Sequence, residues 1–180
     1  MFAAPNVEYL SAMKHTTASR DPAAFSKLQE LVRDIDIAMI TTVTPDGALR
    51  SRPMVTREFT DDGEVWFFTA DDSSKAGDLQ AEHAVNIAYA DGKKHRFVSI
   101  TGSAEMVHDR ERARALWNSS VKPWFPGGLD DPHLALLRVR IETAEFWDTS
   151  TNRMVQFFHP TKHASGENVK VDVRATPASG

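Results

Sequence analysis

Cysteine is absent from the 180 residues. That excludes disulfides, thiol nucleophiles and Cys-ligated zinc, and it fits a cytoplasmic protein. Long apolar runs are missing as well. No stretch approaches the ~20 apolar residues of a membrane span, and the opening MFAAPNVEYLSAMKHTTASRD lacks the apolar block of a secretory signal. Positive charge is not in excess: 21 Lys and Arg stand against 25 Asp and Glu, a formal net charge of −4. A sequence-independent grip on nucleic acid runs on surplus cations, so no nucleic-acid partner is expected. HExxH, GxSxG, GxGxxG and P-loop motifs do not occur. The seven histidines form no ligand pair at one-turn spacing, so no metal site is expected. The pairs Asp61-Asp62, Asp71-Asp72 and Asp130-Asp131 flank turn residues and read as turn chemistry.

What is present is one compact domain. At this length the core buries roughly two-thirds of the unfolded surface, and no staple is needed. The domain is placed at residues 21–160, between a loose N-terminal arm (1–20) and a flexible C-terminal tail (161–180). Phe25, Leu28, Leu31, Val32 and Ile35 recur at helical spacing after Asp21-Pro22. IAMITTVT (37–44) is a strand, and Pro45-Asp46-Gly47 turns it into a second, ALRSRPMVTREF. Asp61-Asp62-Gly63 leads to a third strand at Glu64–Ala70. Ser73-Ser74 opens a short helix. AVNIAYA and the long RFVSITGSAEMVHD are the fourth and fifth strands. Asp109 caps a helix whose apolar side is Ala113, Leu116 and Trp117. A Pro- and Gly-rich loop then carries Trp124 and Phe125. The last strand, Leu136–Asp148, alternates Leu137, Val139 and Ile141 with Arg138 and Arg140. MVQFF is one further short element. Six strands with short helices among them predict a mainly β fold, a small antiparallel barrel.

Two features point to chemistry. In the second strand, Arg50, Arg52, Met54 and Thr56 share one face. Pro53 within that strand marks an edge or a bulge, where a ligand can approach the backbone. Lys75 falls in the first turn of a helix, where the positive dipole end disfavours a cation unless an anion is bound there. Ser73, Ser74 and Lys75 facing Arg52 would clamp a phosphate; an N-cap with a solvated Lys is the plainer reading. Phe68 and Thr69 end the third strand as candidate walls for a flat cofactor, or as core.

In their order, RSRPMV, WFFTADDSSKAGDL and RFVSITGSAEMV resemble the pyridoxamine phosphate oxidase-like family of split β-barrels, and within it the general stress protein subgroup. The resemblance runs from about Phe25 to Trp147. It implies a six-stranded antiparallel split barrel that binds FMN, with FAD as the alternative, at the interface of a homodimer. On that pattern Arg52 and Lys75, with Ser74, hold the phosphate. Met54 (beside Pro53), Phe68 and Thr69 line the isoalloxazine and ribityl chain. Trp147 reaches the partner's flavin, and Trp117 and Trp124 are further wall candidates. Two departures stand out. Phe97 occupies a position where similar oxidases carry a flavin-contacting Gln, and EFWDTSTNRM lacks their late Arg–His–Asp–Arg signature. Oxidation of pyridoxamine phosphate is therefore not implied, and no catalytic residue is named. The function expected is a flavin-dependent oxidoreductase acting on a small redox substrate. Its rival is a non-catalytic flavin-binding stress protein, a reservoir or sensor.

Overall fold

The computed structural model describes residues 22–119, 121–148, 153–158 and 174–176, with a few side chains, Lys75 among them, outside the description. The N-terminal arm lies outside the described residues. Helix α1 (Pro22–Val32) comes first, followed by β1 (Ile37–Val43), β2 (Leu49–Phe59) and β3 (Glu64–Ala70). Then come α2 (Ser74–Ala81), β4 (Ala84–Asp91), β5 (Arg96–Val107), α3 (Arg110–Leu116) and the long β6 (Leu134–Asp148). The MVQFF element is β7 (Arg153–Phe158), and within the expected tail Arg174–Thr176 forms β8 against it.

The strand order is β3-β2-β1-β4-β5-β6-β7-β8, and β3 also pairs with β6, so the first six strands close into an antiparallel barrel. Closure follows from the binary pattern. Ala38 and Ile40 of β1, Val85, Ile87 and Tyr89 of β4, and Val98 and Ile100 of β5 alternate inward and are buried. Leu137, Val139 and Ile141 of β6 complete the core, and Arg138 and Arg140 point outward as the alternation requires. Helix α1 plugs one end through Leu28, Leu31 and Val32. The Tyr89 hydroxyl is buried against Thr56 Oγ1 at 2.9 Å, and burial pushes its pKa up to about 12.

Two irregularities shape the barrel. Between β5 and β6 the register shifts at Thr101/Gly102, where a Cβ on Gly102 would sit 2.2 Å from the Arg140 carbonyl oxygen. Only glycine allows that approach. Between β2 and β3 the register shifts at Thr56/Glu58, and their ladder covers only Thr56–Phe59. β3, in contrast, follows β6 from Glu64 to Ala70. The barrel is therefore split where Pro53–Val55 and Phe68–Ala70 diverge.

A second core lies outside the barrel. Trp66, Phe68, Leu134 and Leu136 pack against Ala113, Val121 and Phe125. It fastens α3 and the 117–131 loop over the split. Asp109 caps α3 by accepting a 2.9 Å hydrogen bond from the Arg112 amide. Among the described residues, no helix is long and apolar enough to cross a membrane.

Candidate functional site

The split forms a cleft of about 420 Å³, within the usual range of small-molecule sites. Pro53, Met54 and Val55 form one lip, and Phe68, Thr69 and Ala70 the other; Val121, Trp124 and Phe125 roof it. Strand parity explains the lining. Phe67 points into the barrel core and is fully buried, whereas Phe68 points outward onto Trp117 (5.5 Å, edge-on) and Phe125 (6.3 Å). Phe68 is thus both core and cleft floor. Pro53 meets the requirement for a strand proline, since β2 pairs there with β1 alone.

Trp124 is 74% exposed although it lines the cleft. An indole held in water at the mouth of an apolar cleft is a ready platform for a flat ligand. Trp117 reaches the cleft only through Phe68. Trp147 lies far along β6, beside Phe97 of β5, and does not line this chain's cleft. Ile37 and Val121 were not expected here. Arg57 shares the face of Pro53 and Val55 at the cleft, and its Nε and Nη2 donate to the Leu116 carbonyl at 3.3 and 3.1 Å.

Next to the cleft the chain passes through Asp71–Ser73 into α2. Ser73 is the N-cap but makes no capping hydrogen bond, and its Oγ is buried without a partner among the described residues. A buried hydroxyl without a partner costs about 1–3 kcal/mol, which a ligand oxygen placed here would offset. Ser74 Oγ accepts a 3.2 Å hydrogen bond from Arg52 Nη2, which joins the two segments expected to form the clamp. The Ala76 amide already donates to the Ser73 carbonyl at 2.9 Å, and the Ser74 and Lys75 amides before it lie at the positive end of the α2 dipole. Together these groups fit a phosphate. The Lys75 side chain lies outside the described residues.

Arg52 has further partners. Its Nη2 donates to Asp78 Oδ2 at 2.8 Å, and its Nη1 donates to Thr42 Oγ1 at 2.8 Å. Thr42 in turn donates to Asp78 Oδ2 at 2.9 Å. Asp78 is buried, and the hydrogen bond from Arg52 holds its carboxyl below the usual carboxylate range despite burial.

A group that long sequence separation concealed sits below the cleft. His108 Nε2 and His133 Nδ1 contact the two oxygens of Asp71 at 3.0 and 3.1 Å. The ligand atoms of Asp71, Asp72 and His133 lie within 4.8 Å of one another. Hydrogen bonding to Asp71 and the charge of Asp72 raise the His133 pKa, and the two imidazoles lower that of Asp71. All four side chains keep substantial solvent exposure, and they read as an ion-pair cluster.

Residues 23–170 match the family model described as pyridoxamine 5'-phosphate oxidase like. The protein bli-3 of Neurospora crassa is 29% identical over 123 residues, 63% of this chain and 59% of its own length. The chain thus spans less than two-thirds of that curated relative. The crystal structure of a general stress FMN/FAD binding protein from Xanthomonas citri is 31% identical, with a TM-score of 0.60 over 68% of this chain and 86% of that one. A protein from Clostridium acetobutylicum related to general stress protein 26 shares the fold at 21% identity, with a TM-score of 0.67 over 77% of this chain and 96% of that one.

Proposed function

This chain belongs to the pyridoxamine 5'-phosphate oxidase-like family, and from that premise we propose that it binds FMN between β2, β3 and the start of α2. One observation carries the reading. Ser73 Oγ, buried with no partner among the described residues, stands beside Ser74 and Arg52 at a helix start whose Ser73 amide donates to the carbonyl of Ala70, a residue of the apolar cleft. A phosphorylated planar ligand needs both halves of such a site. In this reading Arg52, Ser74 and Lys75 hold the phosphate. Met54, Phe68 and Thr69 border the ring system beside Pro53, and Trp124 excludes water from it.

Bound flavin supplies hydride or electron transfer, and the protein supplies binding, orientation and electrostatics. The cleft lining agrees with that division, because it carries no carboxylate or imidazole among the described residues. We infer an oxidoreductase from the redox chemistry of the flavin itself. The same lining also suits a flavin-binding protein without turnover. Steady-state consumption of NAD(P)H by the FMN-loaded protein separates the two. Turnover with an acceptor supports the enzyme, and no consumption across a broad panel leaves the storage or sensing role.

We also infer that the working unit is a homodimer. Outward positions of β1, β4, the first half of β2 (Leu49–Val55) and Phe97–Thr101 of β5 carry no charge at all. Ile37, Met39, Leu49 and Phe97 are exposed among them. Such a face calls for a cover. It runs into the cleft through Ile37, Pro53 and Val55, so a second copy seated on it would close the flavin site. Light scattering of the wild type and of Met39→Lys tests this. A dimer that dissociates in the variant, with loss of flavin, supports the shared site; a wild-type monomer at micromolar concentration refutes it.

A further inference from the structure

The phosphate clamp contains a residue that a simple anion site would exclude. Asp78 is an ionised, buried carboxylate, and it lies against the cation expected to bind the phosphate. Coulomb repulsion between carboxylate and phosphate weakens anion binding. The geometry gives the reason for its presence. Arg52, Asp78 and Thr42 form a closed ring of three hydrogen bonds at 2.8, 2.9 and 2.8 Å, to which Arg52 adds Ser74 at 3.2 Å. A guanidinium has five N–H donors in one rigid plane. Three are fixed by this ring and Ser74. The Nε–H then has no partner among the described residues, and the orientation of the plane fixes its direction; the last Nη1–H points away from it.

We propose that Asp78 is the positioning residue of the phosphate clamp: with Thr42 it locks the Arg52 guanidinium at the start of α2, so that its free Nε–H faces the anion. Electrostatic attraction is given up for a preorganised donor, and preorganisation lowers the ordering cost of binding. The inference rests on the FMN reading above. It adds that the clamp acts through orientation as well as charge.

The test is a set of affinities for FMN and for riboflavin, which lacks the phosphate, read by flavin fluorescence quenching. Asp78→Ala weakens FMN at least tenfold and changes riboflavin less than twofold. Asp78→Asn keeps an acceptor for Arg52, removes the like charge and restores FMN affinity to the wild-type level or tighter. Thr42→Val, a volume-matched change, weakens FMN selectively and to a smaller degree, and it serves where Asp78→Ala folds poorly. In an Arg52→Ala background, Asp78→Ala has less than a twofold further effect. Equal losses for FMN and riboflavin would make Asp78 a packing residue and overturn the proposal. An Asp78→Asn variant as weak as Asp78→Ala would overturn it too. If Arg52→Ala weakens FMN while Asp78→Ala does not, the flavin reading stands and this inference falls. If the wild type binds neither flavin, both fall together.

Discussion

Replacing Arg52 with Gln should cost stability in a way that depends on pH. In the folded protein the Asp78 carboxylate is 5% exposed and holds Arg52, itself 19% exposed, at 2.8 Å. Removing the cation leaves Asp78 with Thr42 as its remaining side-chain donor among the described residues. Breaking a fully buried pair costs about 3–5 kcal/mol; the partial exposure of Arg52 lowers the expectation to roughly 2–4 kcal/mol. For a domain of this size that is a fall in Tm of about 4–16 °C near pH 7. The sign with pH follows from the lowered pKa of Asp78. A carboxyl whose folded pKa is depressed contributes stability above its unfolded value of about 3.9, and loses it as pH falls through the folded value. Wild type and variant should therefore converge as pH drops below about 4. Thermal denaturation from pH 7 to pH 3 measures it. A gap that is absent at pH 7, or that stays constant down to pH 3, would refute the assignment of Asp78 as an ionised, Arg52-dependent group.

Further outcomes follow from the same geometry. Gly102→Ala should lower stability by about 1–3 kcal/mol, because its Cβ would meet the Arg140 carbonyl at 2.2 Å. Gly77→Ala, in α2 with nothing within 4 Å of the new methyl, should raise stability by roughly 0.5–1 kcal/mol; denaturant titration reads both. Trp124→Ala should leave Tm nearly unchanged, since the side chain is 74% exposed. It should weaken FMN about three- to tenfold, the value of one aromatic contact. By NMR titration His133 should hold its proton above the ordinary histidine value, and Asp71→Asn should return it toward that value, since the hydrogen bond to Asp71 is the main cause of the rise.

Much of the architecture was legible because a barrel strand writes its burial every second residue. Ile37–Val43, Glu64–Ala70 and Leu136–Asp148 declare themselves by β-branched residues, turns and alternation. The meeting of Arg52 with Ser74 was legible too, through the misplaced cation that follows the serines. Asp78 was not, although a signal existed. Ser74 and Asp78 are four apart on α2 and share one helical face, so whatever meets Ser74 can meet Asp78. Arg57 was legible by parity, since it lies two residues beyond Val55 on the face that also carries Pro53. The Asp71–His108–His133 cluster joins residues 37 and 62 positions apart, a separation that only barrel closure brings together. β8 escaped notice because Arg174–Thr176 is too short to show a period.

The visible absorption spectrum of the purified protein, recorded after incubation with FMN and removal of free flavin by desalting, tests the central claim most directly. The account predicts retained flavin bands at one FMN per chain, lost in Lys75→Glu and weakened in Asp78→Ala. A colourless protein that retains neither FMN nor FAD would contradict it.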